Sequence, residues 1–131
     1  MGIEEDDIDP TAFLEDVEMR VGEVTAAEPF PEARKDVYRL EVEFGEETLG
    51  SAAGLTDNYD PEELVGRQVV AVVNLGSVDI AGFESECLVT GVDSAGRGPA
   101  GGRAELDDDD ADGGVVHLQP EREVPNGARV Y

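Results

Sequence analysis

Lysine is almost missing from this chain. Lys35 is the only one, against eight arginines and 32 acidic side chains, and the formal charge is −23. At low ionic strength such a surface repels any polyanion, so it cannot rely on long-range attraction to nucleic acid. Cysteine and histidine occur once each, as Cys87 and His117. A lone cysteine excludes an intrachain disulfide, and one Cys with one His cannot build a structural zinc site. As a nucleophile–base pair they lack a third, orienting group, and each lies in an apolar, strand-like run. Both are expected to be buried, with no catalytic residue, metal or cofactor. No apolar run approaches the roughly 20 residues that a helix needs to cross a bilayer. The segment MGIEEDDIDP has neither the basic and apolar regions of a secretory signal nor the Ser/Thr of a myristoylation signal. A soluble, cytoplasmic protein is the expectation.

The acidity is spread along the chain. Residues 1–9 hold five acids and no base, and residues 93–114 hold seven acids with Arg97 and Arg103. Residues 10–92 hold 18 acids and five bases. Carboxylates over every segment, with so little lysine, suggest a halophilic cytosol. In about 1 M salt the Debye length is about 3 Å, and like charges no longer repel over distance. The run LDDDDADGG (106–114) reads as a solvated loop, because it lacks the spaced ligands and closing glutamate of a calcium site.

Residues 1–9 read as a disordered acidic arm. Residues 10–131 read as one domain carrying a Gly-, Ala- and Asp-rich acidic insertion at 93–114. Asp9-Pro10 suits a helix start, with a short helix over about Thr11 to Leu14. Val17, Met19 and Val21 alternate with Glu18, Arg20 and Gly22, which is strand periodicity. In VYRLEVEF (37–44), Tyr38, Leu40, Val42 and Phe44 take one face and Arg39, Glu41 and Glu43 the other. TLGSAAGL (48–55) is a third strand. Pro61-Glu62-Glu63-Leu64 is a helical turn ended by Gly66. RQVVAVVNL (67–75) is a fourth strand, GSVDIAGFES a loop, ECLVTGV (86–92) a fifth strand and VVHLQP (115–120) a sixth. Pro125-Asn126-Gly127 signals a turn. Five or six short strands, with a helical turn between the third and fourth, match an all-β OB-fold, a five-stranded Greek-key barrel.

Several ordered motifs now carry a family. Met19-Arg20-Val21-Gly22, Tyr59-Asp60-Pro61-Glu62-Glu63-Leu64-Val65-Gly66-Arg67, Val72-Val73-Asn74-Leu75 and Ser85-Glu86 resemble the tRNA-binding domain, found alone or appended to aminoacyl-tRNA synthetases. Phe30-Pro31-Glu32-Ala33-Arg34-Lys35, Phe44-Gly45, Ala71-Val72-Val73-Asn74, Ile80-Ala81-Gly82-Phe83 and Pro125-Asn126-Gly127 are most similar to its short CsaA type, an export-related chaperone. The resemblance spans about residues 13–92 and 115–131. It implies an OB-fold homodimer that binds tRNA or other structured RNA without catalysis. Alternatively, it implies a chaperone for unfolded export polypeptides. Gly76-Ser77-Val78-Asp79 departs from the family's usual Pro and basic residue.

Candidate phosphate contacts are Arg20, Arg34, Lys35 and Arg39. Arg34 and Lys35 are adjacent, in a turn and close to Phe30. Ser51, Asn74 and Ser85 are small polar groups at strand ends, able to read bases or to cap turns. Glu86 could accept from a base amino group. Arg39 is expected in a solvated cross-strand pair and Tyr38 in the core. For the dimer the resemblance and their terminal position suggest Phe13, Leu14, Val130 and Tyr131. In concentrated salt RNA binding must come from stacking, hydrogen bonds and close cation contacts, because counterion release fades.

Overall fold

A computed structural model of the protein describes residues 5–94 and 114–131. Residues 1–4 of the expected disordered arm (1–9) and residues 95–113 of the expected flexible insertion (93–114) lie outside these residues. Helix α1 (Pro10–Asp16) starts where Asp9 and Pro10 set it. The Asp9 carboxylate accepts from the Thr11 N–H at 2.9 Å and from its hydroxyl at 2.8 Å. The helix runs two residues beyond the expected Leu14 and closes with the Val17 N–H on the Phe13 carbonyl at 3.1 Å.

Strand β1 (Met19–Pro29) is long because it serves two neighbours. Its first half pairs with β4 (Gln68–Val72) and its second half with β2 (Tyr38–Glu43). A bulge between Val24 and Ala26 bends it between the two. Gly22 makes the bend possible, since a Cβ there would lie 2.6 Å from Val42 Cγ1 and 2.7 Å from Phe44 Cε1. Strand β2 keeps the predicted alternation, with Tyr38, Leu40 and Val42 buried. It pairs along its length with β3 (Thr48–Ala53). Helix α2 (Pro61–Leu64) follows, its start fixed by the Asp60 N–H on the Glu63 carboxylate at 2.8 Å.

Two expectations are corrected after β4. The stretch read as a loop contains a hairpin, β5 (Val78–Ile80) and β6 (Phe83–Ser85). Its turn uses two left-handed residues, Ala81 at φ 50° and Gly82 at φ 90°, the backbone of a tight two-residue hairpin. The stretch 86–92 is not one strand. β7 (Leu88–Val89) pairs with β4, whereas β8 (Gly91–Asp93) pairs with β9 (Val115–His117). Thr90 stands at the break and donates its hydroxyl to the Val70 carbonyl at 2.7 Å.

The main sheet runs β3-β2-β1-β4-β7, antiparallel throughout. It curls so that β3 meets the segment leading into β7, giving a nearly closed five-stranded barrel with two short helices among the described residues. The expected OB order, with α2 between the third and fourth barrel strands, is what forms. Val24, Tyr38, Leu40, Val42, Ala53, Leu55, Leu64 and Val69 fill the interior. A smaller cluster of Phe30, Val37 and Ala52 lies apart from it, with Ala33, Ile80 and Phe83 packed against it. The C-terminal segment turns at Gly127 (φ 96°) and lies along β1, with Gly127 N–H on the Val21 carbonyl and Val130 N–H on the Met19 carbonyl.

Candidate nucleic-acid interface

The small second cluster defines a surface site. Two chain segments meet there, the β1–β2 loop (residues 30–37) and the β5–β6 hairpin. In OB barrels the corresponding loops flank the face that takes oligonucleotides. Phe30 from the loop and Phe83 from the hairpin pack edge-to-face, with centroids 5.6 Å apart. Gly50 on β3 lets the hairpin lie this close, because a Cβ there would come within 2.8 Å of the Glu84 carbonyl and of Phe83 Cζ.

Arg34 and Lys35 stand on that loop, Arg34 exposed and Lys35 half-buried. Arg39 follows on β2, on the strand face opposite the buried Tyr38 and Leu40. Its guanidinium carbon is 5.2 Å from the Phe30 ring centre and 5.7 Å from that of Phe83. It also meets Glu28, its cross-strand partner on β1, at 2.7 Å. The expected solvated pair therefore forms, together with two aromatic contacts that the strand pattern did not reveal.

Arg20 belongs elsewhere. Its Nε donates to Glu18 at 2.7 Å and its Nη1 to the Gly127 carbonyl at 2.8 Å, tying the C-terminal segment to β1. Ser51, Ser85 and Glu86 are brought together, at the seam that closes the barrel. Ser51, 1% exposed, donates its hydroxyl to the Cys87 carbonyl at 2.9 Å. Ser85 Oγ accepts the Ala52 N–H at 3.0 Å, and the Glu86 carboxylate accepts the Gly50 N–H at 3.0 Å. The Glu86 N–H completes the seam on the Gly50 carbonyl at 2.8 Å. Asn74 joins α1 to the barrel through Glu18 N–H and the Asp16 carbonyl. These four side chains thus have structural partners within the protein.

Cys87 and His117 are buried, as expected, and serve different neighbourhoods. Burial pushes the Cys87 thiol up to about 12, the Ser51 hydroxyl opposing and Glu86 adding to the shift. His117 packs against the Tyr59 ring at 5.2 Å, with Nδ1 on the Leu118 carbonyl at 3.1 Å. Burial holds its imidazole below the ordinary value, against the Leu118 bond and with help from Arg67. Among the described residues no three His, Cys, Asp or Glu side chains group as metal ligands. No helix there is long and apolar enough to cross a membrane.

The family model for the tRNA binding domain matches residues 19–129, which is nearly the whole barrel. The chain belongs to the tRNA-binding domain family. Methionine–tRNA ligase of Methanocaldococcus jannaschii is 30% identical over 119 residues, covering 91% of this chain and 16% of that enzyme. The ligase of Methanothrix thermoacetophila is 34% identical over 128 residues, 98% of this chain and 16% of the enzyme. This tRNA-binding domain thus spans about one sixth of the ligases that it matches. Solved structures of similar size align end to end. Chaperone CsaA from Bacillus anthracis is 38% identical, with a TM-score of 0.71 over 96% of this chain and 100% of that one. A MetRS-related protein from Pyrococcus horikoshii is 29% identical, with a TM-score of 0.71 over 97% and 100%.

Proposed function

We propose that this tRNA-binding domain binds tRNA or another structured RNA through the face where the β1–β2 loop meets the β5–β6 hairpin, and that it carries out no chemical step. The observation that carries this reading is Arg39 over the Phe30–Phe83 contact, with Arg34 and Lys35 on the loop that leads from Phe30, on a chain of charge −23. Cations are scarce here, and three of nine fall within residues 34–39, on the β1–β2 loop and the start of β2. Arg20, Ser51, Asn74, Ser85 and Glu86 enter this reading as supports of the barrel that presents the face. The setting is a salt-rich cytosol, in which short-range contacts replace long-range attraction. A gel shift with total tRNA in about 2 M KCl tests it, since counterion release is weak there. The wild type shifts the tRNA, whereas Arg34→Glu/Lys35→Glu does not. No shift by the wild type at any protein concentration rejects the reading.

A CsaA-like chaperone role is the second reading, supported by the end-to-end match to CsaA at 38% identity. It needs an exposed apolar seam, and a homodimer supplies one. Arg129 fastens the C-terminal segment to α1, with Nη2 on the Leu14 carbonyl at 2.6 Å. Leu14 is exposed, and Tyr131 is 91% exposed. Phe13 and Val130 are half-buried. Light scattering tests the dimer: Leu14→Asp/Tyr131→Asp gives a monomer, and wild-type protein of monomer mass rejects it. Suppression of unfolded-protein aggregation without a tRNA shift favours the chaperone.

A further inference from the structure

Arg39 is held in an unusual way for a surface arginine. It stands on β2 in register with Glu28 of β1 and Ala52 of β3. Ala52 has a side chain small enough for the hairpin to settle over β3, which carries the Phe83 ring to 5.7 Å from the guanidinium carbon. Phe30 approaches to 5.2 Å. Two aromatic rings therefore fix the guanidinium by cation–π attraction. Its aim is set by packing in the second hydrophobic cluster and not by the ion pair alone.

The ion pair itself is incomplete. One oxygen of Glu28, Oε2, takes both Nε at 2.9 Å and Nη2 at 2.7 Å. An arginine fork that meets two acceptor oxygens forms a stronger, bidentate pair. Nη1 has no partner among the described residues. The two side chains are 37% and 57% exposed, so water reaches both, and such surface pairs hold weakly. A phosphodiester offers two non-bridging oxygens in the spacing that the fork prefers.

We propose that Arg39 is a phosphate contact for RNA, aimed by Phe30 and Phe83, with Glu28 as a resident counterion that the RNA backbone displaces. This rests on the RNA-binding reading above and adds to it a role for Glu28 and an exchange step. On a chain this acidic, a guanidinium carrying its own carboxylate stays oriented between ligands. The cost is competition: each RNA phosphate must outbid Glu28. Removing Glu28 should therefore strengthen RNA binding, which a merely structural ion pair would not do.

Fluorescence anisotropy with a labelled tRNA transcript, titrated over a range of KCl concentrations, tests this. Glu28→Gln tightens binding about threefold by freeing the fork. Arg39→Gln weakens it about tenfold and reduces the slope of log affinity against log salt by about one phosphate contact. Arg39→Lys recovers less than half of that loss, because a point charge neither forks nor is held by the rings in the same way. In Glu28→Gln/Arg39→Gln the tightening disappears. Glu46→Gln, on the turn between β2 and β3, controls for net charge and leaves affinity close to wild type. Thermal melts confirm that each variant is folded. The proposal is overturned if Glu28→Gln fails to tighten binding, if Glu46→Gln tightens it equally, or if Arg39→Gln leaves the salt slope unchanged. Should Arg34→Glu/Lys35→Glu still abolish binding in that case, the RNA-binding reading stands without Arg39. If the wild type itself does not bind the transcript, both fall.

Discussion

Asn74 bridges two backbone groups of the segment that enters β1: its Oδ1 accepts the Glu18 N–H at 2.9 Å and its Nδ2 donates to the Asp16 carbonyl at 3.0 Å. Fifty-odd residues separate the partners in sequence, so one amide fixes where α1 leaves the barrel. Asn74→Ala removes both bonds at a solvent-exposed position, where water can replace them in part. It should lower unfolding stability by about 1–2 kcal/mol, measured as a reduced urea midpoint at constant KCl. Asn74→Asp keeps an acceptor but sets a carboxylate against the Asp16 carbonyl, so it should do no better.

Ser51→Ala acts in the opposite environment. The hydroxyl is fully buried and satisfies the Cys87 carbonyl at the barrel seam. Water cannot replace it there. The cost should be about 1–3 kcal/mol, seen as a lower melting temperature. A melting temperature equal to wild type would show that the seam does not depend on this bond.

His117 gives the fold a pH dependence whose sign can be worked out. Its folded value lies below its ordinary 6.5, chiefly through burial. The unfolded chain therefore takes up the proton first. The contribution to stability is whole above the unfolded value and is lost as the pH falls through it toward the folded value. Nε2 is buried without a hydrogen-bond partner among the described residues, so protonation there has no local acceptor. The melting temperature should fall as the pH drops through the ordinary value of 6.5. His117→Leu should flatten that slope, and an unchanged slope would assign the effect to other groups.

Cys87 should be inert in the folded protein. With its thiol pushed up to about 12 by burial, the thiolate fraction at pH 8 is on the order of one in ten thousand. Iodoacetamide should leave the native protein unlabelled and modify it fully in urea. Mass spectrometry reads both states, and rapid native labelling would reopen the case for a reactive cysteine.

The parts of this fold that could be read from sequence are those with local causes. The period of β2, the Asp9-Pro10 start of α1 and the turns at Gly66 and Gly127 depend on residues within a few positions of each other. The β5–β6 hairpin was hidden by its length. Strands of three residues carry too little alternation to register, and Ala81 does not advertise a left-handed turn as Asn or Asp would. The signal available was Ile80 and Phe83 flanking a residue pair that ends in glycine. The break at Thr90 was hidden too, because VTGV is apolar on both sides of it. The partners of Ser51, Ser85, Glu86 and Asn74 lie 33 to 58 residues away. Nothing local distinguishes a serine that stitches a barrel from one that meets a base. Arg39 shows the converse, since its alternation with Glu41 and Glu43 gave the ion pair but not the rings brought in by the hairpin.

The β8–β9 ribbon has a practical consequence. Its strands pair from Gly91 with His117 to Asp93 with Val115, and beyond them the Ser94 N–H meets the Gly114 carbonyl at 2.9 Å. Ser94 and Gly114 are thus clasped at a common base beside the ribbon. That base is a natural graft point. A peptide tag, a fluorophore-bearing loop or a small reporter domain spliced between Ser94 and Gly114 should leave the five barrel strands in register, giving a readout of RNA capture that leaves Arg34, Lys35 and Arg39 unaltered.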